Sequence, residues 1–254
     1  MGTKPKNSGS GYEERTYRRR MVAQGLISFP VIVKETDLLI QAQRDLRGLA
    51  HAAVLNYRYQ LEQYIHQHPE FFHSLIPVAF DEFAPPIVKD MIRAARTAGV
   101  GPMAAVAGAM AEFVGRQLLP DSPEVIVENG GDIFLRSLRE FKAGIFAGSS
   151  SLSLRIGLRV PPADQGLGVC TSSGTVGPSL SFGRADAVCV IAPSASLADA
   201  AATAVGNRVK SAQDLPTGLE TAQAIAGLTG VVIIIGEKMG VWGKVELTEM
   251  SPSA

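Results

Sequence analysis

At 254 residues, 46% of them hydrophobic and 19% charged, the chain carries enough apolar material for a large core, which excludes a disordered or fibrous polypeptide. Basic and acidic residues balance at 24 each, so no global field steers the protein to nucleic acid or to an anionic membrane surface. The two cysteines, Cys170 and Cys189, are too few for a disulfide framework. They sit in apolar, strand-like runs and read as buried thiols suited to a reducing compartment, with a single bridge as the minor alternative.

Met1 to Gly11 is polar and rich in Gly and Ser, with no apolar core after it. The expectation is a disordered N-terminus without a signal peptide, a cytoplasmic protein, and one domain over residues 12–250. Tyr12 to Arg20 is basic and aromatic, either a strand with a solvated face or a phosphate-binding edge. Phe29 to Lys34 and Leu38 to Ala42 are β-rich runs joined by Glu35-Thr36-Asp37, which predicts a hairpin. Leu46, Leu49, Ala53, Val54, Tyr57, Leu61 and Tyr64 recur at helical spacing, so Arg44 to His66 reads as a helix closed by Pro69. Pro85-Pro86 starts a second helix to Ala98. After the break at Gly99-Val100-Gly101, a third runs from Pro102 to Leu119 and is rich in Ala and Gly, which lets its backbone approach a sheet or a ligand. The small-apolar run Gly99 to Ala111 is too short to span a bilayer. From Glu124 the texture turns to short strands: Val125 to Glu128, Ile133 to Leu135, Gly144 to Phe146, Leu152 to Ile156, Val169 to Thr171 and Ala187 to Ile191. Helices over Ser196 to Val209 and Thr217 to Ala226, and a doubly buried strand at Val231 to Ile235, complete an α+β pattern.

Several chemistries are absent by motif. Gly99-Val100-Gly101-Pro102-Met103-Ala104 follows a helix rather than a strand and so is no dinucleotide fingerprint. There is no phosphate-binding GxxxxGK[ST] loop, GxSxG elbow or HExxH pair, and all four histidines, His51, His66, His68 and His73, precede residue 74. Three stretches have chemical content. Asn129-Gly130-Gly131-Asp132 is either a tight turn or a place where bare amides meet a ligand flanked by Asn129 and Asp132. Thr171-Ser172-Ser173-Gly174-Thr175 is a donor-rich loop suited to phosphate oxygens. Asp199 and Thr203 lie four apart on an Ala-rich helix and share a face, as two oxygen ligands of magnesium would. The competing reading of Asp199 is local: Ser196-Leu197-Ala198-Asp199 is a capping-box pattern. Glu112, in the small-residue helix, reads as a surface position, and Asp186 as a loop-orienting or flanking residue.

The order of these pieces carries a resemblance. AAVAGAMAE (Ala104 to Glu112), then Gly130-Gly131-Asp132, Thr171 to Gly174, Ala192-Pro193 and LADAAATA (Leu197 to Ala204) together resemble the ApbE family, flavin transferases that use magnesium to move FMN from FAD to a protein threonine. VENGGDIF, TSSGTVG, SFGRADAV and ADAAATAVGN are more similar still to an uncharacterised branch of ApbE-like proteins. The resemblance implies a compact α+β fold built from related halves, magnesium on Asp199 and Thr203, and a ligand wall of Gly130, Gly131, Asp132, Ser172, Ser173 and Gly174. The ligand it implies is a small phosphorylated molecule, FAD or FMN by analogy. Two departures stand beside it: Ala107 occupies the place of a lysine in the transferases, and Pro178 to Ala187 lacks their His–Asp–Pro–Thr–Gly stretch. A non-catalytic module for a small anionic metabolite is the alternative on the same fold. Oligomeric state is not legible, and a homo-oligomer stays open.

Overall fold

The computed structural model describes residues 23, 25–174 and 182–250. Residues 1–11, the basic Tyr12 to Arg20 segment and Thr175 lie outside them. Strands β1 (Ile27–Val33) and β2 (Thr36–Ala42) form the expected hairpin, with Val33 opposite Thr36. Helices α1 (Arg47–Gln67), α2 (Pro69–His73) and α3 (Pro86–Ala98) follow, then a 3-10 turn (Pro102–Ala105) leading into α4 (Val106–Leu118). The chain continues through β3 (Val125–Asn129), β4 (Asp132–Ser137), β5 (Phe141–Gly144), β6 (Ile156–Val160), β7 (Ala163–Ser172) and β8 (Ala187–Ala192). Helices α5 (Ala195–Gly206) and α6 (Leu215–Ala224) precede β9 (Gly230–Ile235), β10 (Lys238–Gly243) and β11 (Glu246–Glu249).

Eight strands form one antiparallel sheet in the order β1-β2-β3-β4-β7-β8-β9-β10, and β11-β6-β5 form a second, smaller sheet. The order hairpin, helices, hairpin occurs twice, in β1 to β4 and in β7 to β10, as related halves would have it. Alternation along each strand sorts the core into two layers. Val125, Val127, Phe134, Cys170, Val188, Val190, Val231 and Ile233 join the helices on one face. Ile126, Ile133, Leu135, Val169, Cys189, Val232 and Ile234 pack over the small sheet on the other. No single helix among the described residues is long and apolar enough to cross a membrane.

Two predicted strands are misplaced. Residues 145–155 form a chain of turns instead, with Leu154 at φ 55° and its amide on the Ile145 carbonyl at 2.8 Å. Serine hydroxyls take the amides a ladder would use: Ser153 accepts from Ala147 N–H at 2.9 Å and Ser150 from Leu152 N–H at 3.2 Å. The strands fall on either side, at β5 and β6. The break before α4 is also a close contact. A Cβ on Gly101 would lie 1.8 Å from the Ser74 carbonyl oxygen, so only glycine fits there.

Candidate functional site

Helices α4 and α5 lie antiparallel and each holds the start of the other. The N-cap of α5 is Ser194, whose hydroxyl accepts from Leu197 N–H at 3.3 Å, and not Ser196. The carboxylate at that end comes from α4: Glu112 accepts from Ala195 N–H at 2.7 Å and from the Ser194 hydroxyl at 3.0 Å. Glu112 is therefore buried and structural, contrary to the surface position its sequence context suggests. In return Asp199 leaves its own helix start alone and accepts from Gly108 N–H, in the first turn of α4, at 2.9 Å. Both acids sit where the helix dipole and unpaired amides favour negative charge. The approach demands small residues, since a Cβ on Gly108 would meet the Ala195 carbonyl oxygen at 2.2 Å.

The sheet brings a second acid beneath Asp199. Asn129 and Asp132 face each other across the β3–β4 turn, and Asp132 faces Cys170 on β7. These residues share the helix-covered face. The Asn129 amide donates to the Ala107 carbonyl at 3.1 Å, and the Cys170 thiol to the Ala195 carbonyl at 3.3 Å, which fixes Asp132 between the first turn of α4 and the Ala195–Asp199 turn of α5. One carboxylate oxygen of Asp132, Oδ1, is buried with no hydrogen-bond partner among the described residues. Burial, then the charge of Asp199, push Asp132 well above the usual carboxylate range. Burial pushes Asp199 up to about 7, against the opposing pull of the Gly108 and Ala107 amides. Two buried carboxylates and an orphaned oxygen are unfavourable unless a proton or a cation joins them.

The other residues singled out in the sequence gather around this pair unevenly. Thr203 is half-buried one helical turn beyond Asp199, on the same face. Gly130 and Gly131 turn the chain at φ 70° and 106°, but the Gly131 amide is taken by Glu128 at 2.8 Å and is not bare. A Cβ on Gly131 would lie 3.6 Å from the Thr171 carbonyl oxygen, so the turn abuts the end of β7. The Thr171 side chain belongs to the opposite face, hydrogen-bonded to Cys189, and only its backbone reaches Asp132. Ser172 and Ser173 are half-buried at the end of β7, and the Gly174 amide donates to the Ala185 carbonyl at 2.9 Å. Beyond the loop, Phe182 N–H donates to the Asn207 side chain at 2.9 Å, which pins this wall to the end of α5. Asp186 accepts from Gly236 N–H at 2.7 Å and orients the β9–β10 turn. Glu112, Gly108, Cys170 and Asn207 enter the site's framework through contacts that no local spacing announces.

Asp132, Asp199 and Thr203 are the residues here that could hold a hard cation such as magnesium. Among the described residues no three His, Cys, Asp or Glu side chains gather to hold a metal by themselves. A pair of carboxylates with a nearby hydroxyl leaves positions for waters and ligand phosphates, the arrangement magnesium prefers. The orphaned Asp132 oxygen supplies a lone pair that no other group among the described residues uses.

A family model described as AbpE bacteria matches residues 18–239. The chain is 41% identical over 226 residues to a UPF0280 protein of Methanococcus aeolicus, covering 87% of this chain and 91% of that one. To a UPF0280 protein of Methanocaldococcus jannaschii it is 40% identical, covering 85% and 90%. Among solved structures, the flavin transferase ApbE from Vibrio cholerae superposes with a TM-score of 0.55 at 13% identity, over 85% of this chain and 96% of that one. The ApbE protein of Thermotoga maritima gives 0.54 at 12%, with the same coverage. The structures share the fold, the UPF0280 proteins share the sequence, and the chain belongs to the ApbE-like superfamily, in the branch the AbpE bacteria model describes.

Proposed function

We propose that this protein binds a flavin or another phosphorylated nucleotide through magnesium and acts on it as a transferase of the ApbE type. The observation that carries this reading is the buried Asp132–Asp199 pair with its unpartnered oxygen. In the proposal Asp199, Asp132 and Thr203 hold the metal, while Ser172, Ser173 and Gly174, with the Gly130-Gly131 turn, form the wall against which phosphate oxygens lie. Magnesium, when bound, supplies a Lewis acid that neutralises phosphate charge. The chain's own residues orient the ligand and exclude water: Asn129 and the Gly108 amide fix the pair, and the α4–α5 contact keeps it rigid. The free thiols Cys170 and Cys189 support a cytoplasmic location.

One observation favours a binding module without chemistry. His51, His66, His68 and His73 are confined to α1, α2 and their junction, and none shares a hydrogen bond with the carboxylate pair. In that case the same site holds a small anionic metabolite and releases it unchanged. Thermal shifts with FAD, FMN, ADP and ATP, each with and without magnesium, test the shared part of both readings. A ligand present at about a hundredfold over its Kd stabilises by about 2.7 kcal/mol. Stabilisation that requires magnesium and disappears in Asp199→Ala is the expected result, and a product assay then separates enzyme from binder. No magnesium-dependent shift with any of the four would remove the transferase reading and leave a module for some other small anion.

A further inference from the structure

Phe71 to Pro86, which carries the chain from α2 into α3, reads FFHSLIPVAFDEFAPP and is apolar nearly throughout. Phe71 is buried, and Val78 and Phe80 pack against the helical layer of the core. Four large side chains do not: Phe72, Leu75, Ile76 and Phe83 are 50%, 57%, 70% and 97% exposed. The segment that presents them is held in place. The Ser74 hydroxyl donates to the Ile76 carbonyl at 2.6 Å, and Asp81 accepts from Phe83 N–H at 2.8 Å and from the Tyr64 hydroxyl at 3.1 Å. The Leu75 backbone abuts Gly101, the Arg93 guanidinium covers the Phe80 ring at 4.9 Å, and the Lys89 ammonium donates to the Glu82 carbonyl at 3.4 Å. Those three contacts, taken in order, run the segment back along α3 for about 15 Å at the rise of that helix. A strip already fixed in this way costs little to order when a partner covers it.

Its size and charge select the partner. At about 200 Å² for a large side chain, the four leave roughly 500 Å² of apolar surface uncovered, near the upper end of what a lone monomer shows. Two such strips face to face cover about 1,000 Å², the threshold of a specific interface, before their flanks are counted. A bilayer is the other large apolar partner, and the charges disfavour it. From Tyr59 to Val88 there is no Lys or Arg, while Glu70, Asp81 and Glu82 are acidic, the reverse of what an anionic membrane surface attracts. A two-fold operation that lays one strip antiparallel along another sets Phe83 of each copy beside Leu75 and Ile76 of the other, apolar against apolar at both ends.

We propose that this strip is the contact surface of a homodimer. The inference is independent of the nucleotide reading above. It places the contact against Gly101, at the break that leads into α4, so the dimer forms beside the candidate site without contributing a residue to it.

The test is sedimentation equilibrium of the wild type, of Ile76→Glu and Phe83→Glu, and of Leu138→Glu, an exposed leucine in the β4–β5 connection, each from about 1 to 100 µM. The wild type and Leu138→Glu should reach twice the mass of one chain, while both strip variants stay at the mass of one chain with unchanged far-ultraviolet circular dichroism. Phe83→Ser, which removes the ring and adds no charge, gives the same reading should a glutamate variant fail to fold. A wild type monomeric over the whole range, a dimer that survives both strip variants, or one that Leu138→Glu breaks equally overturns the assignment. A monomer that instead sediments with phosphatidylcholine vesicles, and loses them in Phe83→Glu, gives the strip to a lipid surface and overturns it as well.

Discussion

Replacing Asp199 by Asn isolates the cost of the buried carboxylate pair. The ordinary carboxyl value is 3.8, and burial raises Asp199 to about 7. The folded protein therefore holds this proton more tightly than the unfolded chain does. The resulting stabilisation is complete below about pH 4 and is lost as pH rises through about 7. About three pH units at about 1.4 kcal/mol each amount to about 4 kcal/mol. Asn keeps an oxygen for the Gly108 amide but carries no charge, so the variant escapes this loss. In chelator, the stability of the wild type relative to Asp199→Asn should fall by about 4 kcal/mol between pH 4 and pH 8. In a chain of this size that corresponds to a change of roughly 8–16 °C in the gap between the two Tm values. Urea melts at a series of pH values measure the gap directly, and magnesium at pH 8 should restore the wild type and not the variant. A gap that does not move with pH would show that the carboxylates are solvated or already neutralised, and the argument for a cation would go with it.

Other perturbations follow from the same contacts. Gly108→Ala drives a methyl to 2.2 Å from the Ala195 carbonyl oxygen and should cost about 3 kcal/mol in urea denaturation. Gly48→Ala, also helical but with nothing within 4 Å of the new methyl, should instead stabilise by about 0.5 kcal/mol. Glu112→Ala removes the acceptor at the start of α5 and the partner of Arg116, and should cost about 2 kcal/mol at neutral pH. A loss no larger than that of an exposed glutamate such as Glu220 would refute its capping role.

The sequence carries most of the large sheet and little of the small one. Val231 to Ile235 and Ala187 to Ile191 are legible because apolar runs flanked by glycine, proline or charge have few other uses. The β5–β6 region is not, because Ser149 to Ser153 satisfy backbone amides locally and displace the ladder by several residues. Strands β10 and β11 escape notice since Gly240, Gly243 and Lys244 break any alternation, and pairing with β9 and β6 supplies what the local pattern lacks. At the site, Asp199 looks like a helix cap because Ser196 precedes it by three residues. The hydroxyl at the helix start is Ser194 and the carboxylate there comes from Glu112, 83 residues away. Pairing of Asp132 with Asp199 is likewise a product of tertiary structure. Only the resemblance, and no spacing rule, brings those two residues into one sentence before the fold is known.

The exchange of carboxylates between α4 and α5 also fixes an order of events during synthesis. Gly108 waits for Asp199, 91 residues later in the chain, before its amide finds that acceptor. When β1 to β4 and their helices have left the ribosome, α4 still begins in open amides, and Glu112 holds only Arg116 on its own helix. Contacts this distant in sequence form slowly, because the intervening loop must close before they contribute. The first half of the chain therefore emerges as an unfinished layer. Arrival of α5 closes both helix starts and brings Asp199 over Asp132 in the same step, so the site matures together with the fold.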